Sequence, residues 1–317
     1  MSRRPPRIDR SRVRTLSARE RPSKVHLEHE GRPLRPGASF ADFLESLPSL
    51  LGAADLRAAI DATARAFADG RTILWGFGAH VIKVGLAPIV VDLLERGLAG
   101  GVMLNGAGCV HDLELARLGH TSEDVAAALD EGRFGMADET AERLNRAIAE
   151  GAREELGMGA AVGREILGGD YPHKDRSILA TAARLGIPVA VASAIGTDIH
   201  HMHPGADGAA LGATSYRDFE MLAGLVATLE GGVVYNVGSA VILPEVFLKA
   251  LALARNLGHD VRRFTAVDLD FIRQYRPAVN FVGRPTRLGG TGLSLIGHHE
   301  ILLPLLVAGI VESVATS

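Results

Sequence analysis

Three stretches of the chain combine residue types and spacings that suit acid–base or binding chemistry. In Asn105-Gly-Ala-Gly-Cys-Val-His111-Asp112-Leu-Glu114, a small-residue turn delivers an imidazole and a carboxylate to a helix start. Helix starts favour anions, and an adjacent carboxylate orients an imidazole or raises its pKa, so His111 reads as an acid or base with Asp112 as its partner. The plainer alternative is that Asp112 caps the helix and His111 packs. Gly196-Thr-Asp198-Ile-His200-His201-Met-His203-Pro-Gly205 holds three histidines and an aspartate within six residues. Such a cluster suits a divalent metal, yet its spacing matches neither structural zinc sites nor the two-histidine helical motif, and proton transfer or contacts to a cofactor or substrate compete with that assignment. Gly76-Phe77-Gly78 would let backbone N–H groups approach a phosphate, but no third glycine stands three residues on, and Asn105 replaces the acidic residue that would hold a ribose. Those glycines serve a tight turn equally well. Cys109 lies near a helix start, where a thiolate is stabilised, although a small buried cysteine is the commoner case. His298-His299-Glu300 suits a helix cap or a ligand. Neither a nucleophile elbow nor a Walker loop occurs.

The elements that must position these residues follow from periodicity and punctuation. Residues 40–51 and 54–68 read as helices, the second closed by Asp69-Gly70. Residues 72–77 form a glycine-punctuated buried strand, and a loop of about ten residues separates it from a helix over 89–96, entered through Pro88 and stopped by Gly97. Long loops at strand ends often hold ligands. Residues 102–104 form the next strand, 105–108 a turn and 111–118 a helix; Thr121-Ser122-Glu123-Asp124 resembles a capping box, and helices continue over 138–156, 159–167 and 176–185. Further strands fall at 189–192, 233–236 and 264–269. Short apolar strands alternating with helices imply an α/β fold, a parallel sheet covered on both faces. Ligands in such sheets sit beyond the carboxyl ends of the strands, which selects residues 76–85, 105–112, 193–205, 236–245 and 268–270.

The chain's 317 residues, 47% hydrophobic and 22% charged, suffice for one large domain over 37–317. A net charge of −3 argues against general nucleic-acid binding. The first 36 residues are the exception, an Arg/Pro-rich arm with ten arginines and one lysine, among them Arg3 and Arg4, which reads as a flexible extension. One cysteine allows no internal disulfide, the basic start leads into no apolar signal, and residues 301–311 are too short to span a bilayer, so a cytoplasmic protein is expected.

Taken in order, these segments resemble the deoxyhypusine synthase family, which oxidises spermidine with NAD and passes an aminobutyl group to a protein lysine through an imine. Arg71-Thr-Ile-Leu-Trp-Gly-Phe-Gly-Ala-His80-Val-Ile-Lys-Val-Gly-Leu86 and the stretch from Asn105 to Asp112 look like its two nucleotide-loop regions. Ile187-Pro-Val, the Gly196–His201 loop and Leu303-Pro-Leu-Leu-Val-Ala308 look like its substrate-side strand and loop and its terminal helix, so the similarity spans roughly residues 54–311. The family's catalytic lysine segment corresponds to Asn280-Phe-Val-Gly-Arg-Pro-Thr286, and no lysine follows Lys249. The Val-His-Asp-Leu-Glu string is also similar to NAD-dependent ornithine cyclodeaminase domains, which likewise take an amine to an imine.

These resemblances imply a Rossmann-like NAD-binding fold and an NAD-dependent transferase or deaminating lyase acting on a polyamine, another small amine or an amino acid, but not deoxyhypusine synthesis itself. They imply a homotetramer. Gly76, Gly78, His80, Asn105, Gly106, Ala107, Gly108, Thr197, Asp198 and Asp268 would bind the cofactor; His111, Asp112 and His201 would be catalytic; and Asp198, His200 and Glu245 would bind substrate. No metal ligand is assigned in this reading. The alternatives are a metal-dependent hydrolase or lyase using His200, His201 and His203, or a nucleotide-binding regulator that meets a partner through the arm.

Overall fold

The computed structural model describes residues 6–315, so Arg3 and Arg4 lie outside the described residues. Residues 6–36 are almost entirely exposed. Among the described residues, the extension is tied down near its end, where Ser49 N–H donates to His29 O and Arg32 N–H to Ser46 O.

From there the chain runs through α1 (Phe40–Ser46), α2 (Leu51–Ala68), β1 (Ile73–Phe77), α3 (His80–Lys83), α4 (Ala87–Glu95), β2 (Gly101–Asn105) and α5 (Gly106–Leu118). It continues through α6 (Val125–Asp130), α7 (Asp138–Arg153), α8 (Met158–Gly168), α9 (Ile178–Leu185), β3 (Val189–Ala192), α10 (Gly208–Ala227) and β4 (Val233–Val237). α11 (Ile242–Asn256), β5 (Thr265–Asp270), β6 (Thr291–Ile296) and α12 (His299–Ala315) complete it. The six strands form one sheet in the order β3-β2-β1-β4-β5-β6, every pair parallel. This is a Rossmann-like α/β fold, and the strand order reverses between β1 and β4.

Helices cover both faces, which is why β1, β2 and β4 are apolar without alternation. One face packs Trp75, Phe77 and Tyr235 with residues of α2, α4 and α12; α10 and α11 cover Leu74, Met103, Val234 and Ala266 on the other. Trp75 and Tyr235 stack at 3.8 Å, and their polar atoms find partners: the indole N–H donates to Leu98 O at 2.9 Å, and the phenol pairs with Thr63 Oγ1 at 2.6 Å. The outer edge of β3 is closed by α10, since Val191 N–H donates to Asp218, while Ser215 Oγ donates to Val191 O and accepts from Ser193 N–H. That leaves this stretch no open ladder for a foreign strand.

Several expectations change here. The helix expected over 40–51 breaks after Ser46, because Leu47 must be extended before Pro48. The expected ten-residue loop after β1 contains the single helical turn α3. No turn follows β2: the strand passes straight into α5, Asn105 Oδ1 caps it by accepting from Gly108 N–H at 3.2 Å, and the glycines lie inside its first turn. Asp124, not Thr121, caps α6. α10, α11 and β6 were not anticipated from the sequence. Among the described residues, no helix is long and apolar enough to cross a membrane.

Candidate active site

Because the strands are all parallel, the five segments selected from sequence meet at one rim of the sheet. Beside it, beyond β2 and β3, lies a cavity of about 510 Å³. His111 and Glu114 of α5, Lys83 of α3, Thr121, Glu139 and Thr140 line it, with Ala107, Thr197 and Asp198.

α5 presents His111 and Glu114 on one face, three residues apart. His111 Nδ1 lies 2.6 Å from Thr121 Oγ1, Thr121 donates to Glu114 Oε2 at 2.5 Å, and Thr140 donates to Oε1 at 3.0 Å. Burial, reinforced by the Lys83 cation, pushes the imidazole down to about 4, so the ring is uncharged at neutral pH. Asp112 does not serve as its partner. Buried in the protein, it accepts from Ser177 Oγ, Ile178 N–H and Leu179 N–H and so holds the start of α9. One residue's step along a helix turns the two side chains apart by about 100°.

Asp198 reaches the first turn of α5 from the β3–α10 connection. A Cβ on Gly106 would stand 1.9 Å from its Oδ2, so that glycine admits this chain's own carboxylate. Burial pushes Asp198 up to about 6, against hydrogen bonds from Thr197 and Ala107 N–H, and Oδ2 has no hydrogen-bond partner. His201 Nδ1 accepts from Gly196 N–H at 3.1 Å, which leaves Nε2 as the N–H of the neutral ring, 3.9 Å from Asp198 Oδ2. Burial lowers the pKa of His201 as well.

The other histidines of the cluster diverge. His200 is 1% exposed, neither ring nitrogen has a hydrogen-bond partner, and burial pushes it down to about 3, so it cannot meet a substrate as expected. His203 Nε2 pairs with Gly135 O at 2.9 Å. Among the described residues, no three His, Cys, Asp or Glu side chains converge as metal ligands, and the metal-dependent alternative lacks a site. Burial drives the Cys109 thiol well above its ordinary range, which removes the thiolate.

The remaining expected residues fall elsewhere. Glu245 sits across the sheet, bound to Lys249 and to Asn280 at 2.6 Å, beside a second, largely apolar cavity of about 530 Å³ between α10 and α11. Gly76 is required by packing, since a Cβ would approach Met103 Cε and Tyr235 O to 2.9 Å. Gly78 lies at the reversal of strand order, where a Cβ would come within 2.2 Å of Gly238 O. His80 is exposed beside it, its ring 5.4 Å from that of the buried His299. Asp268 lies beside Asn236 in register, accepting from its Nδ2 at 2.8 Å; Asp268 Oδ2 and Asn236 Oδ1 are buried without partners, and burial pushes Asp268 up to about 6. Sequence reasoning missed Lys83, Glu114, Thr121, Glu139 and Thr140; only the i, i+3 spacing of His111 and Glu114 signalled one of them.

No family model matches the chain, and no curated protein does. Among solved structures, a protein from Entamoeba histolytica provisionally named a deoxyhypusine synthase superposes with a TM-score of 0.54 at 11% identity, over 89% of this chain and 96% of its own. A provisionally named LOR/SDH protein from Methanococcus maripaludis S2 gives 0.54 at 13%, over 95% of this chain and 76% of its own. AgrE, solved in a ternary complex with ornithine and NAD+, gives 0.50 at 16% over 83% of this chain, which spans only 33% of AgrE. The likeness is one of fold.

Proposed function

We propose that this chain is an NAD-dependent enzyme that oxidises the amine-bearing carbon of a small amine or amino acid to an imine, and that it is not a deoxyhypusine synthase. The observation that carries this reading is the cavity at the carboxyl rim, beyond β2 and β3, where an uncharged His111 and a buried Asp198 face the same space. The fold shared with AgrE, a protein solved with ornithine and NAD+, supports it.

The residues fit a dinucleotide at the reversal between β1 and β4, where Asn236 and Asp268 hold buried polar atoms without partners; Gly78 there admits the chain's own Gly238 carbonyl. They fit it less well at the start of α5, where Asn105 and Asp198 already serve the N–H groups of Gly108 and Ala107. His80, the exposed residue at that reversal, is therefore the cofactor contact of this reading, with the buried Gly78 and Asp268 behind it. NAD, when bound, supplies the acceptor for the hydride that leaves the amine-bearing carbon. The one-turn α3 links His80 at the reversal to Lys83 in the cavity, a step of about 5 Å along the helix.

Asp198 and Glu139 hold the cationic amine, and His111 takes the proton that must leave its nitrogen. An amino-acid substrate sets its carboxylate against Lys83. That neutralises one of the two influences depressing His111 and makes the imidazole more basic as the substrate arrives. Calorimetric titration of the full chain with NAD+ tests the cofactor. Saturable heat is expected, and its absence at millimolar NAD+ refutes the proposal.

A further inference from the structure

The base of the cavity is held by two side chains whose protons can be counted. Thr121 has one hydroxyl proton. Its Oγ1 lies 2.5 Å from Glu114 Oε2 and 2.6 Å from His111 Nδ1, so the same oxygen serves both contacts. A carboxylate has no proton to give, so the hydroxyl proton goes to Glu114 and the oxygen offers a lone pair to the ring. Nδ1 must then carry hydrogen. A neutral imidazole carries only one, which leaves Nε2 with its lone pair. Thr140 donates to the other oxygen of Glu114 at 3.0 Å, so α7 steadies the carboxylate that α5 supplies and Thr121 adjoins from the α5–α6 connection.

We propose that Glu114, acting through Thr121, fixes His111 in the Nδ1–H tautomer and so presents Nε2 as the proton acceptor of the cavity. Glu114 and Thr121 are thus positioning residues. The task given to Nε2 rests on the function proposed above; the tautomer does not. The reverse arrangement, with the proton on Glu114 and Thr121 donating to Nδ1, would leave an Nε2–H that can only give a proton. The two arrangements therefore assign the ring opposite roles. Because burial keeps the ring uncharged at neutral pH, its tautomer, rather than its charge, decides what it can do.

Nitrogen-15 NMR of the histidine-labelled full chain at pH 7 tests this, with His111→Gln used to assign the ring among the chain's 12 histidines. The expected spectrum shows a protonated, pyrrole-type Nδ1 and an unprotonated, pyridine-type Nε2 for His111. Thr121→Val, which removes the acceptor, should move the ring toward the Nε2–H form, and Thr121→Ser should keep the original pattern. A pyrrole-type Nε2 in the unaltered protein overturns the proposal, as does a Thr121→Val spectrum that leaves both ring signals in place. If Thr121→Val fails to fold, the two ring signals of the unaltered protein still decide between the tautomers. The NAD+ titration is read separately, so loss of cofactor binding and loss of the tautomer remain distinguishable.

Discussion

Asp198 shows how burial sets the chemistry of a single group. Its carboxyl is pushed from 3.8 up to about 6, so the folded chain holds this proton more tightly than the unfolded chain does. Stability from this group is present below pH 4 and is lost as the pH rises through about 6. Asp198→Asn keeps an acceptor for Ala107 N–H and removes the charge. Relative to the unaltered protein it should gain roughly 3 kcal/mol between pH 4 and pH 8, checked by urea unfolding at both pH values; equal differences at the two would refute it. Burial raises the pKa of Asp112 too, but its three donors at the start of α9 lose their acceptor in Asp112→Ala. That variant should be destabilised by about 2–4 kcal/mol in denaturant while the His111 ring signals stay where they are. His111 and Asp198, both singled out by residue type and neighbours, line one cavity. The partner of His111 was not legible, since sequence adjacency suggested Asp112, whereas the fold brought Thr121 from the α5–α6 connection.

The glycines at the strand ends separate by what surrounds them. Gly78→Ala would press a methyl into Gly238 O and wedge β1 from β4, which should cost about 1–3 kcal/mol in thermal or chemical unfolding. Gly108→Ala meets only ordinary contacts, the nearest 3.4 Å away at Leu104 Cβ, and lies inside α5. It should therefore be neutral or stabilising by up to about 1 kcal/mol in the same measurement. Five of the six strands were visible as short apolar runs, four of them behind glycine or proline. β6 was hidden because Thr291-Gly292-Leu293-Ser294 is neither continuously apolar nor β-branched, and it becomes a strand only by pairing with β5. α10 was obscured by four glycines or small polar residues in its first half, Gly208, Gly212, Thr214 and Ser215, and tertiary packing overrides their low helix propensity.

At the scale of the whole molecule, strand order was beyond the sequence, because it depends on which side each crossover lands. The shared direction of the strands was implied by the helices between them. The carboxyl rim also carries apolar side chains left in water: Ile195, Val241, Phe271, Ile272 and Tyr275 are all 45% exposed or more. Self-association would cover them, in line with the tetramer expected from the family resemblance. Light scattering should then report four chains for the unaltered protein and a smaller species for Phe271→Asp; a monomer at micromolar concentration would end that expectation. The β3–α10 connection adds a different consequence. Ser193, Ala194 and Ile195 face the apolar cavity, while Thr197, Asp198 and Ile199 face the one that holds His111, so one short segment is the wall of both. Any coupling between two occupants that lean on the same wall is reciprocal. If filling the apolar cavity alters the affinity of the other by some factor, filling the other must return that same factor.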